Sequence, residues 1–191
     1  YSRDRRMSDT RVEAPKMFRE MDGVRLENVQ IPNAQETLWH CRNVDLKNVR
    51  ADRADYLFLH GENIRIEDYV QNGNYSFQYC RNVTIRDAEI HSKDAFWNSE
   101  DVTVYDSVLD GEYLGWHSKR LKLVNCRISG TQPLCYAQDL VMENCTMDDD
   151  CDLAFEYSTL RADIKGCVRS VKNPRSGSIT AGGYGEIILD A

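Results

Sequence analysis

One six-residue phrase returns along this chain every nineteen or twenty residues, and that period limits the fold more than any other feature. It reads Gly-Val-Arg-Leu-Glu-Asn at 23–28, Asn-Val-Asp-Leu-Lys-Asn at 43–48 and Asn-Ile-Arg-Ile-Glu-Asp at 63–68. It continues at 82–87, 101–106, 120–125 and 139–144. The first apolar positions are Val24, Val44, Ile64, Val83, Val102, Leu121 and Leu140, so the steps are 20, 20, 19, 19, 19 and 19. A fixed period of this length marks a stacked-repeat architecture.

Within each phrase two apolar residues flank one polar residue, the alternation of a strand with one buried face. Two residues later stands Asn28, Asn48, Asp68, Asp87, Asp106, Asn125 or Asn144, residue types that tolerate a left-handed backbone and turn the chain. Short strands recurring with a fixed bend, and no 3.6-residue pattern between them, predict parallel strands about 4.8 Å apart. A left-handed β-helix, built from six-residue steps, would need about 18 residues per coil, and leucine-rich repeats place their Asn differently. The expected fold is therefore all-β: a single-stranded, right-handed parallel β-helix of about eight coils. One domain spans 1–191, with a degraded amino-terminal coil at 1–22, regular coils at 23–160 and capping coils at 161–191.

Composition narrows the partners. Lys and Arg number 24 against 31 Asp and Glu, a net charge of -7, which argues against nucleic acid. Mean hydropathy is -0.59 and no apolar run approaches the roughly 18 residues of a membrane span. Seven cysteines, an odd number without zinc-type spacing, read as reduced core residues and favour a cytoplasmic over a secreted location, as does the lack of a signal segment.

A β-helix turns its period into columns. Four residues before each first apolar position stand Glu20, His40, His60, Tyr79, Asn98, His117 and Tyr136, with Glu156 next if Leu160 is the following reference. A narrow dry interior would leave such groups unpaired, so the column is expected to face water. Period-2 alternation then turns Leu38, Phe58, Phe77, Phe96, Gly115 and Leu134 outward, together with Glu36, Tyr56, Tyr75, Asp94 and Tyr113. The opposite phase would expose Trp39, Trp97 and Trp116 instead. Either choice lines aromatic rings along one side, which suits sugar rings or a protein partner, or simply holds the coils in register.

For chemistry, Asp94, His117, His60 and Glu156 are the weak acid/base candidates, and Glu36, His40, Tyr56, Tyr75, Tyr79, Phe96, Asn98, Tyr113 and Tyr136 the candidate ligand contacts. Glu36 and Asp94 lie three coils apart, about 14 Å, too far for a glycosidase pair. No cofactor or metal is implied: His40 and His60 are only two ligands, and the run 147–152 lacks the alternation and glycine of a cation loop. Cys126, Cys145 and Cys167 read as one core column, Cys41 and Cys80 as another.

Segments including Ala34-Gln35-Glu36-Thr37-Leu38-Trp39, Lys93-Asp94-Ala95-Phe96-Trp97-Asn98-Ser99 and Gly111-Glu112-Tyr113-Leu114-Gly115-Trp116 resemble a family of bacterial proteins of unknown function. The resemblance covers about 10 to 190 and implies a pectin-lyase-like right-handed β-helix, with further coils at the amino end in other members. The pectinolytic motifs of its distant relatives are missing, so that chemistry is not carried over. The expectation is a β-helix that binds or modifies an oligo- or polysaccharide through its outer aromatic and polar ladder. The alternative is a non-enzymatic structural or interaction module, with the same ladder as the contact of a homo-oligomer.

Overall fold

Residues 2–190 are described by the structure, a computed structural model. Strands β1 (Ser2–Arg11), β2 (Met21–Ile31), β3 (Arg42–Ala51), β4 (Glu62–Asn72) and β5 (Arg81–His91) are long and unbroken. The next coils break the strand into pairs, β6 (Glu100–Tyr105) with β7 (Val108–Asp110), and β8 (Lys119–Val124) with β9 (Arg127–Ser129). Then follow β10 (Leu140–Met147), β11 (Thr159–Ile164), β12 (Cys167–Lys172), β13 (Ser176–Thr180) and β14 (Gly183–Ile188). All pair in parallel, and β1-β2-β3-β4-β5-β6-β8-β10-β11-β13 lie side by side in that order. This is an all-β solenoid of about ten turns with no helix among the described residues, two turns more than the sequence count because β1 and β13 also pair.

Each turn has three sides. The first carries the phrase, and Val24, Val44, Ile64, Val83, Val102 and Leu121 stand in one register column. These residues and Leu26, Leu46, Ile66, Ile85, Val104 and Leu123 are all at most 3% exposed, so the side is welded by apolar burial. The bend predicted after the phrase is real: Asn28, Asn48, Asp68, Asp87, Asp106, Asn125 and Asn144 have φ between 51° and 54°. The Asn amides also climb the stack, Asn48 donating to Asn28 at 2.8 Å and Asn144 to Asn125 at 2.7 Å. A second amide ladder, Asn43 to Asp22, Asn63 to Asn43 and Asn82 to Asn63, stands at the start of the phrase. The second side follows the bend and buries Val29, Ile31, Val49, Ala51, Ala88, Ile90 and Ile128.

The third side is not a strand. In successive turns Glu36, Leu38 and His40, then Tyr56, Phe58 and His60, then Tyr75, Phe77 and Tyr79, all have φ between 50° and 62°. A non-glycine residue in that region costs about 1–2 kcal/mol, and the arrangement persists because each turn hydrogen-bonds to the next. Tyr56 N–H donates to the Asn74 carbonyl at 2.8 Å and Tyr75 N–H to Lys93 at 2.7 Å, while Phe77 N–H donates the other way, to Leu57 at 3.0 Å.

This backbone overturns one expectation. Period-2 alternation belongs to extended chain, and here every second residue is left-handed. Phe58, Phe77 and Phe96 therefore point inward at 0% exposure, their rings stacked at 4.8 and 5.0 Å. Phe96, a candidate ligand contact, is a core residue, as are Leu38 and Leu134. Cys167 is a second correction: Cys126 and Cys145 are buried in the core, but Cys145 pairs with Ile164, and Cys167 is exposed at the start of β12.

Candidate functional site

The outer surface of the third side is built from two columns that the inter-turn hydrogen bonds define. Glu20, His40, His60, Tyr79, Asn98, His117 and Tyr136 form one, as the spacing predicts. Its next member is Tyr157 rather than Glu156: Tyr157 N–H donates to Asn173, and its ring centroid lies 5.8 Å from that of Tyr136. The shift arises because the other phrases are entered through a left-handed residue such as Asp139 (φ 54°), whereas no residue between Tyr157 and Leu160 is left-handed. One residue is thus missing between the column and the strand. Glu156 instead sits in the column of Trp97, Trp116 and Cys135, where Lys172 Nζ lies 3.1 Å from its carboxylate.

The second outer column runs Lys16, Glu36, Tyr56, Tyr75, Asp94, Tyr113 and Gln132. Between the two, Trp39, Trp97 and Trp116 lie half-buried. The rings make ladders along the solenoid axis. His40 stacks on His60 at 5.1 Å, His60 on Tyr79 at 4.8 Å, His117 on Tyr136 at 4.9 Å, and Tyr56 on Tyr75 at 4.9 Å. Trp97 stacks on Trp116 at 5.8 Å, and two of the tryptophans are locked by their N–H groups, Trp39 Nε1 donating to the Tyr56 carbonyl at 2.5 Å and Trp116 Nε1 to the Gln132 carbonyl at 2.7 Å. Tyr56, Tyr79 and Tyr157 remain 42, 45 and 42% exposed.

Both ladders are interrupted on the same turn. Asp94 replaces a ring between Tyr75 and Tyr113, and Asn98 replaces one between Tyr79 and His117. Two turns at about 4.8 Å separate the flanking rings by about 10 Å. The Trp97 edge fills the His117 side of the Asn98 gap, at 5.0 Å. At Asp94 no ring intervenes, and the Lys93 ammonium lies 5.4 Å from the Tyr113 centroid and 3.8 Å from the Glu112 carboxylate.

The electrostatics separate the carboxylates. Glu36 is held by Arg19 at 2.7 Å and Lys16 at 3.3 Å, and the Arg19 hydrogen bond, foremost, keeps it below the ordinary carboxylate range. Asp94 moves the opposite way: burial raises it, Glu112 adds to the rise and Lys93 opposes. Burial, then the charge of His40, lowers His60, and burial with nearby Glu156 raises Tyr136. Among the described residues no hydrogen bond joins Asp94 to His117, whose ring packs on Trp97, Trp116 and Tyr136 instead. The turns therefore bring Glu36, His40, His60, Tyr56, Tyr75, Tyr79, Asp94, Asn98, Tyr113, His117 and Tyr136 onto one outer surface, while Phe96 is turned into the core and Glu156 lies between the two outer columns, tied to Lys172. The sequence spacing missed Tyr157, and it missed the Lys93–Glu112 pair beside Asp94, for which only the adjacent-turn spacing of 19 was a signal.

The acidic run at 148–152 is occupied by the protein itself. Asp148 pairs with Arg127 at 3.0 Å, Asp150 accepts Gly130 N–H at 3.0 Å, and Asp152 accepts the Thr131 hydroxyl.

Fold and surface together define a parallel β-solenoid with one side clad in stacked aromatic rings. The chain matches, over residues 1–191, the family described as protein of unknown function (DUF3737), and it belongs to that family. No curated protein matches it.

Proposed function

We propose that the third side is a saccharide-binding surface. The observation that carries the reading is the pair of ring columns with exposed Tyr56, Tyr79 and Tyr157, broken on one turn by Asp94 and Asn98. The stacked rings cover one another's faces along the axis, but Tyr75 and Tyr79 have no stacking partner towards the interrupted turn, so the apolar face of a pyranose can seat there while the Asp94 carboxylate and Asn98 amide bond its hydroxyls. Ring positions repeating at about 4.8 Å suit a linear oligosaccharide laid along the axis. Asp94, desolvated and flanked by rings, is the group on this side best placed to bond the sugar.

A glycan array with wild type and the Tyr56→Ala, Tyr79→Ala double variant tests this. Bound spots that weaken by roughly threefold to tenfold per ring removed support the surface. The competing occupant is a second copy of the chain. An empty array with a doubled mass in solution would replace the saccharide with that partner.

A further inference from the structure

We infer that the saccharide held on the third side carries a protonated amine, so that the substrate class is an amino sugar seated on Asp94. The inference rests on the saccharide reading above and names its ligand.

Asp94 is a half-buried carboxylate of this side without a partner among the described residues, whereas Glu20, likewise unpaired, is exposed to water. Glu36 is taken by Arg19 and Lys16, Glu156 by Lys172 and Glu112 by Lys93. Among the described residues no side chain hydrogen-bonds or pairs with the Asp94 carboxylate, although it is half-buried between Tyr75 and Tyr113. A desolvated carboxylate without a donor is costly, and an ammonium hydrogen-bonded to it removes that cost. The walls favour the same charge. Tyr75 stacks on Tyr56 but on no ring towards Asp94, which leaves a π face open to a cation. The Lys93 ammonium already lies near the opposite wall, over Tyr113 at 5.4 Å. Its charge is balanced by Glu112 at 3.8 Å, so Asp94, Lys93 and Glu112 together carry one net negative charge. An anionic sugar meets that charge unfavourably, and a neutral one leaves it unmatched.

The test compares three tetrasaccharides at about pH 6, where a free amine is protonated: fully deacetylated chitosan tetramer, its N-acetylated counterpart and cellotetraose. Binding is read by calorimetry on wild type and Asp94→Asn. Asn suits the φ of 52° at this position, and a matching melting temperature shows that the variant is folded. The deacetylated tetramer should bind wild type roughly tenfold or more tighter than either other ligand, and Asp94→Asn should erase the difference. Equal binding of all three, or a preference that survives Asp94→Asn, overturns the amine assignment and leaves the saccharide surface standing. Failure of every ligand to bind overturns the surface and the inference together.

Discussion

Replacing Phe77 by alanine should be among the most damaging single changes on the third side, although sequence alternation would put this residue on the surface. Its ring is fully buried and stacked on both faces, against Phe58 at 4.8 Å and Phe96 at 5.0 Å. Deleting a core phenylalanine costs about 3–5 kcal/mol, and two ring pairs at about 0.5–1.5 kcal/mol each put this site at the upper end. Phe77→Leu keeps most of the volume and loses the stacking, so it should cost about 1–3 kcal/mol. Tyr79→Ala, two residues away at a residue 45% exposed whose ring stacks on His60, should cost only about 0.5–1.5 kcal/mol. Urea unfolding followed by circular dichroism measures all three, with the slope checked because a cavity in the middle of a solenoid can uncouple its two ends. If Tyr79→Ala costs as much as Phe77→Ala, the inward placement of the phenylalanine column is wrong.

Asn48→Ala should destabilise by about 1–2 kcal/mol through its left-handed φ of 51° and somewhat more through the amide bond to Asn28, whereas Asn48→Gly should recover the backbone part; thermal melts of both decide it. The Ser129 hydroxyl, then the His91 imidazole, hold Asp110 below the ordinary carboxylate range. Its stabilising contribution is therefore complete above about pH 3.9 and is lost as the pH falls through the lower folded value, so Asp110→Asn should melt with a flatter acid limb than wild type. Six thiols are buried, with Cys80 and Cys151 pushed up to about 12 and Cys135 to about 11, while Cys167 is exposed. A thiol reagent on the native protein should thus label one cysteine quickly, at position 167, and a fast second equivalent would contradict the burial. Inside the core, Tyr69 donates to Gln71 Oε1 at 2.7 Å and Gln71 Nε2 has no partner. The double change Tyr69→Phe, Gln71→Met should therefore be neutral or stabilising, while Tyr69→Phe alone lowers the urea midpoint.

What the sequence discloses depends on how extended the backbone is. The first two sides were legible because their residues obey period 2 and because Asn and Asp mark the bend at which Asn28 through Asn144 turn left-handed. The polar column from Glu20 to Tyr136 was legible because its members keep a constant offset from the strand. The offset fails at Glu156, where the left-handed residue before the strand is lost and Tyr157 takes the place. Phe96 failed for a different reason: no composition signal announces a segment in which alternate non-glycine residues are left-handed, and without it the side-chain direction cannot be read. The cost of those conformations is met by hydrogen bonds between turns, which connect residues 16 to 22 apart and are invisible in any local window. The place of Asp94 between Tyr75 and Tyr113 was legible from their constant column offset, but its partial burial and lack of a partner were not, because they depend on Lys93 turning to Glu112.

Hydroxyl-radical footprinting, read residue by residue with and without the deacetylated tetrasaccharide, tests the account most directly. Tyr56, Tyr79 and Tyr157 should be modified quickly and Phe58, Phe77 and Phe96 hardly at all. Adding the sugar should protect rings next to the interrupted turn, Tyr75 and Tyr79 foremost. Modification of Phe77 at the rate of Tyr79, or protection confined to the other two sides of the solenoid, would contradict it.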